Sequence, residues 1–425
     1  MSYKKNFFIF ENYIPRDKMG LIENYVQSCN KPKKIDKDFE IILVRLPNWA
    51  IIDKNIKNYT IPVIKDFVTG NDLEYKQVEW IDYALFLVTN NPELISKINN
   101  KNKNNSYNNF LSNKQRIVYS KAWVNRILIF LRMWISREIG KNTDEIFGPL
   151  PKPEILLTHD IDYIKTTLQM RLKYFVKIII TFASNNRKLL NFLKLFKNNT
   201  FWEFNKIIEL EKKYNKTSVW NFYAKTSKYN MSPKSWLLNP SYNISTKKFK
   251  KLFHFLRKSK HRIGLHQSYE SYNKYEVMKL EKLKIESVNE EKVKICRQHW
   301  LHFDIFKTWS IQEACGFELD LSLGFNDNWG FRNSSAFKCP AWLNEKEEFS
   351  KSLFSLPLIL MDSHLYDNYT TYKKRTEIID KVLDEIMVTG GKASIVWHQR
   401  VFNPEYGWDK EYKYLLEGMK AREIL

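Results

Sequence analysis

The sequence predicts a mixed α/β chain whose larger, C-terminal part is a closed or nearly closed parallel barrel. Three observations carry this prediction. Beyond residue 153, short apolar runs alternate with helical stretches, the pattern of parallel strands joined by helices. The segment GPLPKPE, Gly148–Glu154, holds three prolines, which cannot continue a helix and so mark a domain boundary. No GxGxxG follows the first strand of this region, which disfavours a dinucleotide-binding sheet. Residues 1–149 are therefore expected to form an N-terminal α/β accessory domain, and residues 150–425 the barrel.

In the accessory domain, FEIILVRL from Phe39 and YALFLVT from Tyr83 read as strands, and the Asn-rich stretch from Lys97 to Asn109 reads as a loop. A long amphipathic helix is expected from Arg116 to about Ile139, with Val118, Trp123, Ile127, Ile129, Phe130, Trp134 and Ile135 as its buried stripe and Gly140 as its stop. In the barrel the candidate strands are EILLTHDID (from Glu154), TSVWNFYA (Thr217), HRIGLHQS (His261), KICRQHWLHF (Lys294), FELDLSLGF (Phe317), SLPLILMDSHL (Ser355) and KASIVWHQRVF (Lys392). Helices are expected over Trp202–Tyr214, Lys247–Lys258, Lys274–Glu286 and Lys374–Val388.

Of the 425 residues, 44% are hydrophobic and 15% aromatic, enough for a large core and incompatible with wholesale disorder. The net charge of +22 is of the kind nucleic-acid binders carry. Yet only 15 of the 69 basic residues are Arg, and no helix-turn-helix, zinc-finger or RNP-type motif accompanies them, so nucleic acid is not the expected partner. Cys29, Cys296, Cys315 and Cys339 form no CxxC pair, which argues against a disulfide framework or a cysteine zinc site. The N-terminal run FFIF is too short for a signal-peptide core, and YFVKIIITFA from Tyr174 is too short and too charged to span a bilayer. A soluble, cytoplasmic protein is expected.

All eight histidines lie beyond residue 158, which places acid–base and metal chemistry in the barrel. Reactive groups of such barrels gather at the C-terminal ends of strands. The first strand ends in Thr158-His159-Asp160-Ile161-Asp162, and alternation puts the two aspartates on one face. One can hold a cation while the other, near that charge, stays ionised and takes a proton. Taken alone, a D-x-D is explained at least as well by helix-capping carboxylates. His266, Arg297 with His299, and His398 end further strands, and convergence of so many polar groups on one rim points to a site.

The ordered set THDID, IGLHQSYES, RQHWLHF, ELDLSLGF with GFRN, PLILMD and IVWHQ resembles the polysaccharide deacetylase (NodB-homology) superfamily. Within it, the set is most similar to the branch with a T-H-D-V/I-D first motif and an extra N-terminal domain. The resemblance spans roughly residues 150 to 405. It implies a distorted (β/α)7 barrel that removes N- or O-acetyl groups from carbohydrate with a divalent metal, zinc being the expected ion. By position it implies Asp160 as general base, Asp162 and His266 as metal ligands, Arg297 as the residue orienting the base, and His398 as the proton donor to the leaving group. The family carries a second metal histidine four residues after the first; here that position is Glu270. The third ligand is then expected from Glu270, or from His299 or His302 on the next strand, of which His299 alternates onto the same side as Arg297.

Arg332 in GFRN and Asp362 in LMDSH are candidate substrate-binding residues, each open to a structural reading as a paired loop arginine and a helix cap. Trp300 and Trp397 are candidates for stacking on sugar rings, although most tryptophans serve the core. Between Tyr163 and Trp202 there are eight basic residues and no acidic one, interleaved with apolar residues. Such a segment fits peripheral contact with an anionic membrane as well as a packed helical insertion. The expected substrate is an acetylated saccharide, free or lipid-linked, used in glycan biosynthesis. The competing expectation is a catalytically altered basic protein that binds acidic glycan, membrane or nucleic acid.

Overall fold

The computed structural model describes residues 8–26, 35, 39–54, 56, 59–70, 73–89, 93, 111–172, 199–224 and 233–425. The chain is α/β. Strands β1 (Ile41–Arg45) and β2 (Thr60–Ile64) form an antiparallel pair. The larger sheet contains β3 (Glu154–Ile161), β4 (Ser218–Tyr223), β5 (Arg262–Gln267), β6 (Ile295–Gln298), β7 (Leu319–Asp320), β8 (Cys339–Leu343), β9 (Glu348–Ser355), β10 (Leu358–Met361) and β11 (Lys392–Val396). Its nine strands run in the order β10-β11-β3-β4-β5-β6-β7-β9-β8. Each of the seven apolar runs read from the sequence carries one of these strands. The β8–β9 antiparallel hairpin is an addition beyond those seven runs.

The chain divides into two compact units. One holds Met1–Leu156, Asp320–Ile395 and Gly418–Leu425, and the other Leu157–Leu319 and Val396–Glu417. The cut at 156 and 157 lies just past the expected proline-rich boundary. The unit that holds residues 1–149, however, also takes in two later stretches of chain.

In the first unit, an aromatic core forms around Trp80, Phe130 and Tyr83. The segment around Tyr83 is a helix, Trp80–Val88, instead of the expected strand. All nine of its residues are buried, and an apolar run that is buried all round has no periodicity to separate helix from strand. The expected long helix begins at Trp123, after a 3-10 turn over Gln115–Tyr119, and ends at Ile139. Gly140 stops it with φ of 75°, the left-handed cap that a residue without Cβ adopts readily. Arg126 on this helix is buried against Glu385, donating from Nε to Oε1 at 2.8 Å and from Nη2 to Oε2 at 2.5 Å.

In the second unit, β3, β4, β5 and β6 are neighbours, paired parallel in chain order. Their apolar residues are buried on both faces, as parallel sheets require. The helices between them are amphipathic. In Lys247–Lys258, Phe249, Leu252, Phe253 and Leu256 are buried at helical spacing. The register sets Asp160 opposite Asn221, Asn221 opposite Gly264, and His266 opposite Arg297, so polar side chains collect at one end of these four strands.

The Asn-rich stretch and residues 173–198 of the basic segment lie outside the described residues. The ends of that segment meet each other, with Lys165 bridging Thr200 and Thr166 N donating to Asn199 O at 2.9 Å. Among the described residues, no helix is long and apolar enough to cross a membrane.

Candidate metal centre

Alternation at the end of β3 separates a structural face from a reactive one. His159 is fully buried, its Nδ1 2.6 Å from Trp397 O and its Nε2 2.8 Å from Glu211 Oε1. Glu211 also accepts from Ser218 Oγ at 2.8 Å and from the Tyr412 hydroxyl. This sealed polar network locks β3 to the helix Phe204–Lys213, and a fully satisfied buried network favours one arrangement of its members. Asp160 and Asp162 point the other way.

Asp160 Oδ1 accepts from Asn221 Nδ2 at 2.8 Å and from Arg297 Nη1 at 3.2 Å. The same Nη1 donates to Thr158 Oγ1 at 2.7 Å, which ties the Arg297 guanidinium to two side chains of β3. Burial by itself would raise the Asp160 carboxyl; the Arg297 charge, followed by His266, His398 and the Asn221 hydrogen bond, outweighs it and holds the pKa below the ordinary value. Asp160 is thus an oriented, ionised carboxylate.

Asp162, buried as well, is the centre of a cluster. Its Oδ1 lies 3.2 Å from His266 Nε2 and 3.5 Å from His299 Nε2. Its Oδ2 accepts a hydrogen bond from Arg400 Nη1 and lies 3.5 Å from His398 Nε2. Burial would raise this carboxyl too, but Arg400 foremost, with His398, holds it well below the usual range. Asp162, His266 and His299 each offer one ligand atom, and the three atoms lie within 4.8 Å of one another.

The donor set fits a divalent cation. Asp162 Oδ1 is buried and faces the Nε2 atoms of His266 and His299, a place where a carboxylate oxygen needs a proton donor or a cation. His266 Nδ1 is 3.2 Å from the carbonyl oxygen of Arg297. A carbonyl only accepts, so a neutral imidazole held this way turns its Nε2 lone pair toward Oδ1. Two acceptors so placed are stabilised by a shared cation. With bonds near 2.1 Å, ligand atoms of a tetrahedral ion stand about 3.4 Å apart, which the 3.2 and 3.5 Å separations match. Two imidazoles and one carboxylate suit a divalent first-row transition-metal ion, zinc and iron included.

Backbone strain sits beside the cluster. Immediately after β6, His299 opens a short 3-10 turn in which Trp300 has φ of 58° and Leu301 φ of 46°. Left-handed backbone at two successive large side chains costs on the order of 1–3 kcal/mol each. It turns His299 inward while Trp300 stays 46% exposed, its ring 5.8 Å from that of His299. A flat apolar ring so placed at the rim can stack on a sugar face.

The remaining expected site residues do not join this cluster. Glu270 Oε2 accepts from Asn239 Nδ2 at 2.8 Å, and it is His299 that groups with Asp162 and His266. Trp397 is fully buried, its Nε1 donating to Trp408 O at 3.1 Å, so it cannot stack on a sugar. Arg332, in the other unit, is 1% exposed; Nε and Nη2 donate to the two Glu93 oxygens at 2.8 and 2.7 Å, and Nη1 donates to Gly324 O at 2.8 Å. It is held as structure, the paired-arginine reading of the sequence. Asp362 is buried as the first residue of the helix Asp362–Asn368, one position after the N-cap Met361, and accepts from Ser363 N at 2.6 Å.

Asn221 and Arg400 are site residues that the sequence motifs do not single out. For Asn221 a signal exists, as an amide in the apolar strand SVWNFY beside the strand that carries Asp160. For Arg400 there is none, because the 3-10 turn Gln399–Phe402 breaks the strand alternation on which such a reading depends.

No family model matches the chain, and no curated protein matches it. Among solved structures it is similar to a polysaccharide deacetylase from Bacillus cereus, at 10% identity over 64% of this chain and 90% of that one, with a TM-score of 0.32. It is also similar to the chitin deacetylase from the fungal pathogen Colletotrichum lindemuthianum, at 12% identity over 64% and 83% of the two chains, with a TM-score of 0.33. A CE4 family pseudoenzyme from Bacillus anthracis matches at 10% identity over 64% and 66%, with a TM-score of 0.26.

Proposed function

We propose that this protein is a polysaccharide deacetylase-like hydrolase that uses a divalent cation, zinc being the first to test, to remove N- or O-acetyl groups from a saccharide. The observation that carries the reading is the buried Asp162 Oδ1 facing two imidazole Nε2 atoms, next to a second, oriented carboxylate. A cation held by Asp162, His266 and His299 supplies Lewis-acid chemistry, lowering the pKa of water and polarising an acetyl carbonyl.

The chain's own groups divide the proton work. Asp160, kept ionised by Arg297 and aligned by Asn221, is the group to accept the proton of the attacking water at its carboxylate. Arg297 is a positioning residue, tied to Thr158 so that Asp160 cannot rotate away. His398, across Asp162 at 3.5 Å, is the donor to the departing sugar nitrogen or oxygen. Trp300 offers the stacking surface. The basic stretch that directly follows this strand supports an anionic or lipid-linked carrier for the saccharide, and residues 1–149 an accessory role in presenting it.

The test is acetate release from acetylated saccharides by the untreated protein, by chelator-treated protein and by Asp160→Asn. Release that chelator abolishes and Asp160→Asn lowers by about 10²-fold or more supports the reading. A second reading, a chain that binds acetylated saccharide without hydrolysing it, is favoured by one observation, the Arg400 hydrogen bond on Asp162. It predicts saccharide binding with no acetate released from any sample, the result that would overturn the first.

A further inference from the structure

The two oxygens of Asp162 have different company. Oδ1 faces His266 and His299, whereas Oδ2 accepts from Arg400 and lies 3.5 Å from His398 Nε2. The turn that carries Arg400 is firmly anchored, since Gln399 Nε2 donates to Tyr163 O at 2.8 Å and to Phe201 O at 2.7 Å. The Arg400 side chain itself is 21% exposed, with its guanidinium 5.7 Å from the Tyr163 ring. It therefore reaches Asp162 from the solvent edge of the site.

A guanidinium cannot shed its proton in a protein. Two neutral imidazoles and one carboxylate give the ligand set a single negative charge, and Arg400 cancels that charge in place. Asp160 does not alter this balance, because Arg297 pairs it in the same way. A divalent cation entering the cluster thus meets a fixed positive charge on the carboxylate that would hold it. It also finds only one oxygen of that carboxylate available.

We propose that Arg400 is a resident counter-charge that weakens divalent-cation binding at Asp162 and confines Asp162 to ligation through Oδ1. The proposal rests on the cation-site reading given above. Its role is positioning and electrostatic; no reacting atom is assigned to it. The consequence is a centre that exchanges its metal readily, in contrast to the tight retention expected from the same three ligands without a neighbouring cation.

Zinc titration calorimetry on chelator-stripped full-length protein tests this, with wild type, Arg400→Gln, Arg400→Met, Arg400→Lys and His266→Ala compared after circular dichroism has shown each to be folded. Both neutral variants are expected to bind zinc about tenfold or more tightly than wild type, and Arg400→Lys to stay within about threefold of it. His266→Ala loses the binding. If both neutral variants match wild type or bind more weakly while His266→Ala abolishes binding, the role of Arg400 is overturned and the cation site stands. If neither wild type nor the neutral variants bind zinc, both readings fall.

Discussion

Asn221 Nδ2 donates to Asp160 Oδ1 at 2.8 Å from the paired position of the neighbouring parallel strand, and the next strand supplies Gly264 at the position opposite Asn221. The glycine is what lets the amide fit: a Cβ there would stand 2.2 Å from Asn221 Oδ1. Gly264→Ala is expected to push the amide off its place and release Asp160 from one of its two aligning bonds. Acetate-release kinetics should show kcat lower by about tenfold to a hundredfold with zinc affinity unchanged. Kinetics equal to wild type would show that the Asn221 bond does not govern Asp160.

His299 and Glu270 compete for the same role in the sequence, and substitution separates them. His299→Ala removes an imidazole from the cluster and is expected to weaken zinc binding by about a hundredfold or more. Glu270→Gln keeps an acceptor for Asn239 and should stay within about threefold of wild type. Equal losses from both substitutions would return Glu270 to the ligand set.

Glu281, on the helix Tyr275–Asn289, is buried, and its Oε2 accepts from Ser268 N at 3.1 Å. Burial foremost pushes its carboxyl up to about 8. A carboxyl with a folded pKa raised above its unfolded value favours the fold while protonated, so its contribution is complete below about pH 4 and disappears as pH rises through about 8. Urea midpoints of wild type should therefore fall between pH 5 and pH 9 by more than those of Glu281→Gln, which keeps the shape and cannot ionise. Identical pH profiles would show that Glu281 is ionised in the fold at neutral pH.

The Arg332–Glu93 pair is buried on both sides, 0% and 1% exposed at the side chains. Arg332→Met removes the guanidinium that donates to both Glu93 oxygens and should cost about 3–5 kcal/mol in urea unfolding, whereas the double variant with Glu93→Leu should recover most of the loss. A single variant as stable as wild type would mean that the carboxylate finds another partner or a proton.

How much of the site is legible follows from which residues obey strand alternation. Asp160, Asp162, His266 and Arg297 sit at or next to the ends of β3, β5 and β6, where a period of two decides the face. The same rule keeps His299, in phase with Arg297, as a candidate ligand. Alternation also separates Trp397 from His398, so that one goes to the core and the other to the rim. The partner of Arg332 is not readable, because its carboxylate lies 239 residues earlier and no local pattern links them. Arg400 and the helix around Tyr83 escape for related reasons, one placed by an irregular turn and the other buried on every side.

The alternation of strands and helices, the concentration of chemistry beyond residue 158 and the face on which the two aspartates lie are all written in local periodicity and composition. That His299 and not Glu270 joins the cluster, that Arg400 sits on the carboxylate opposite the imidazoles, and that Arg332 and Trp397 are interior became visible in the folded chain. Those outcomes depend on the parallel register of β3 to β6, on a strained turn after β6, and on partners far apart in the chain. Distances across a fold are set by packing and pairing, and no spacing along the chain encodes them.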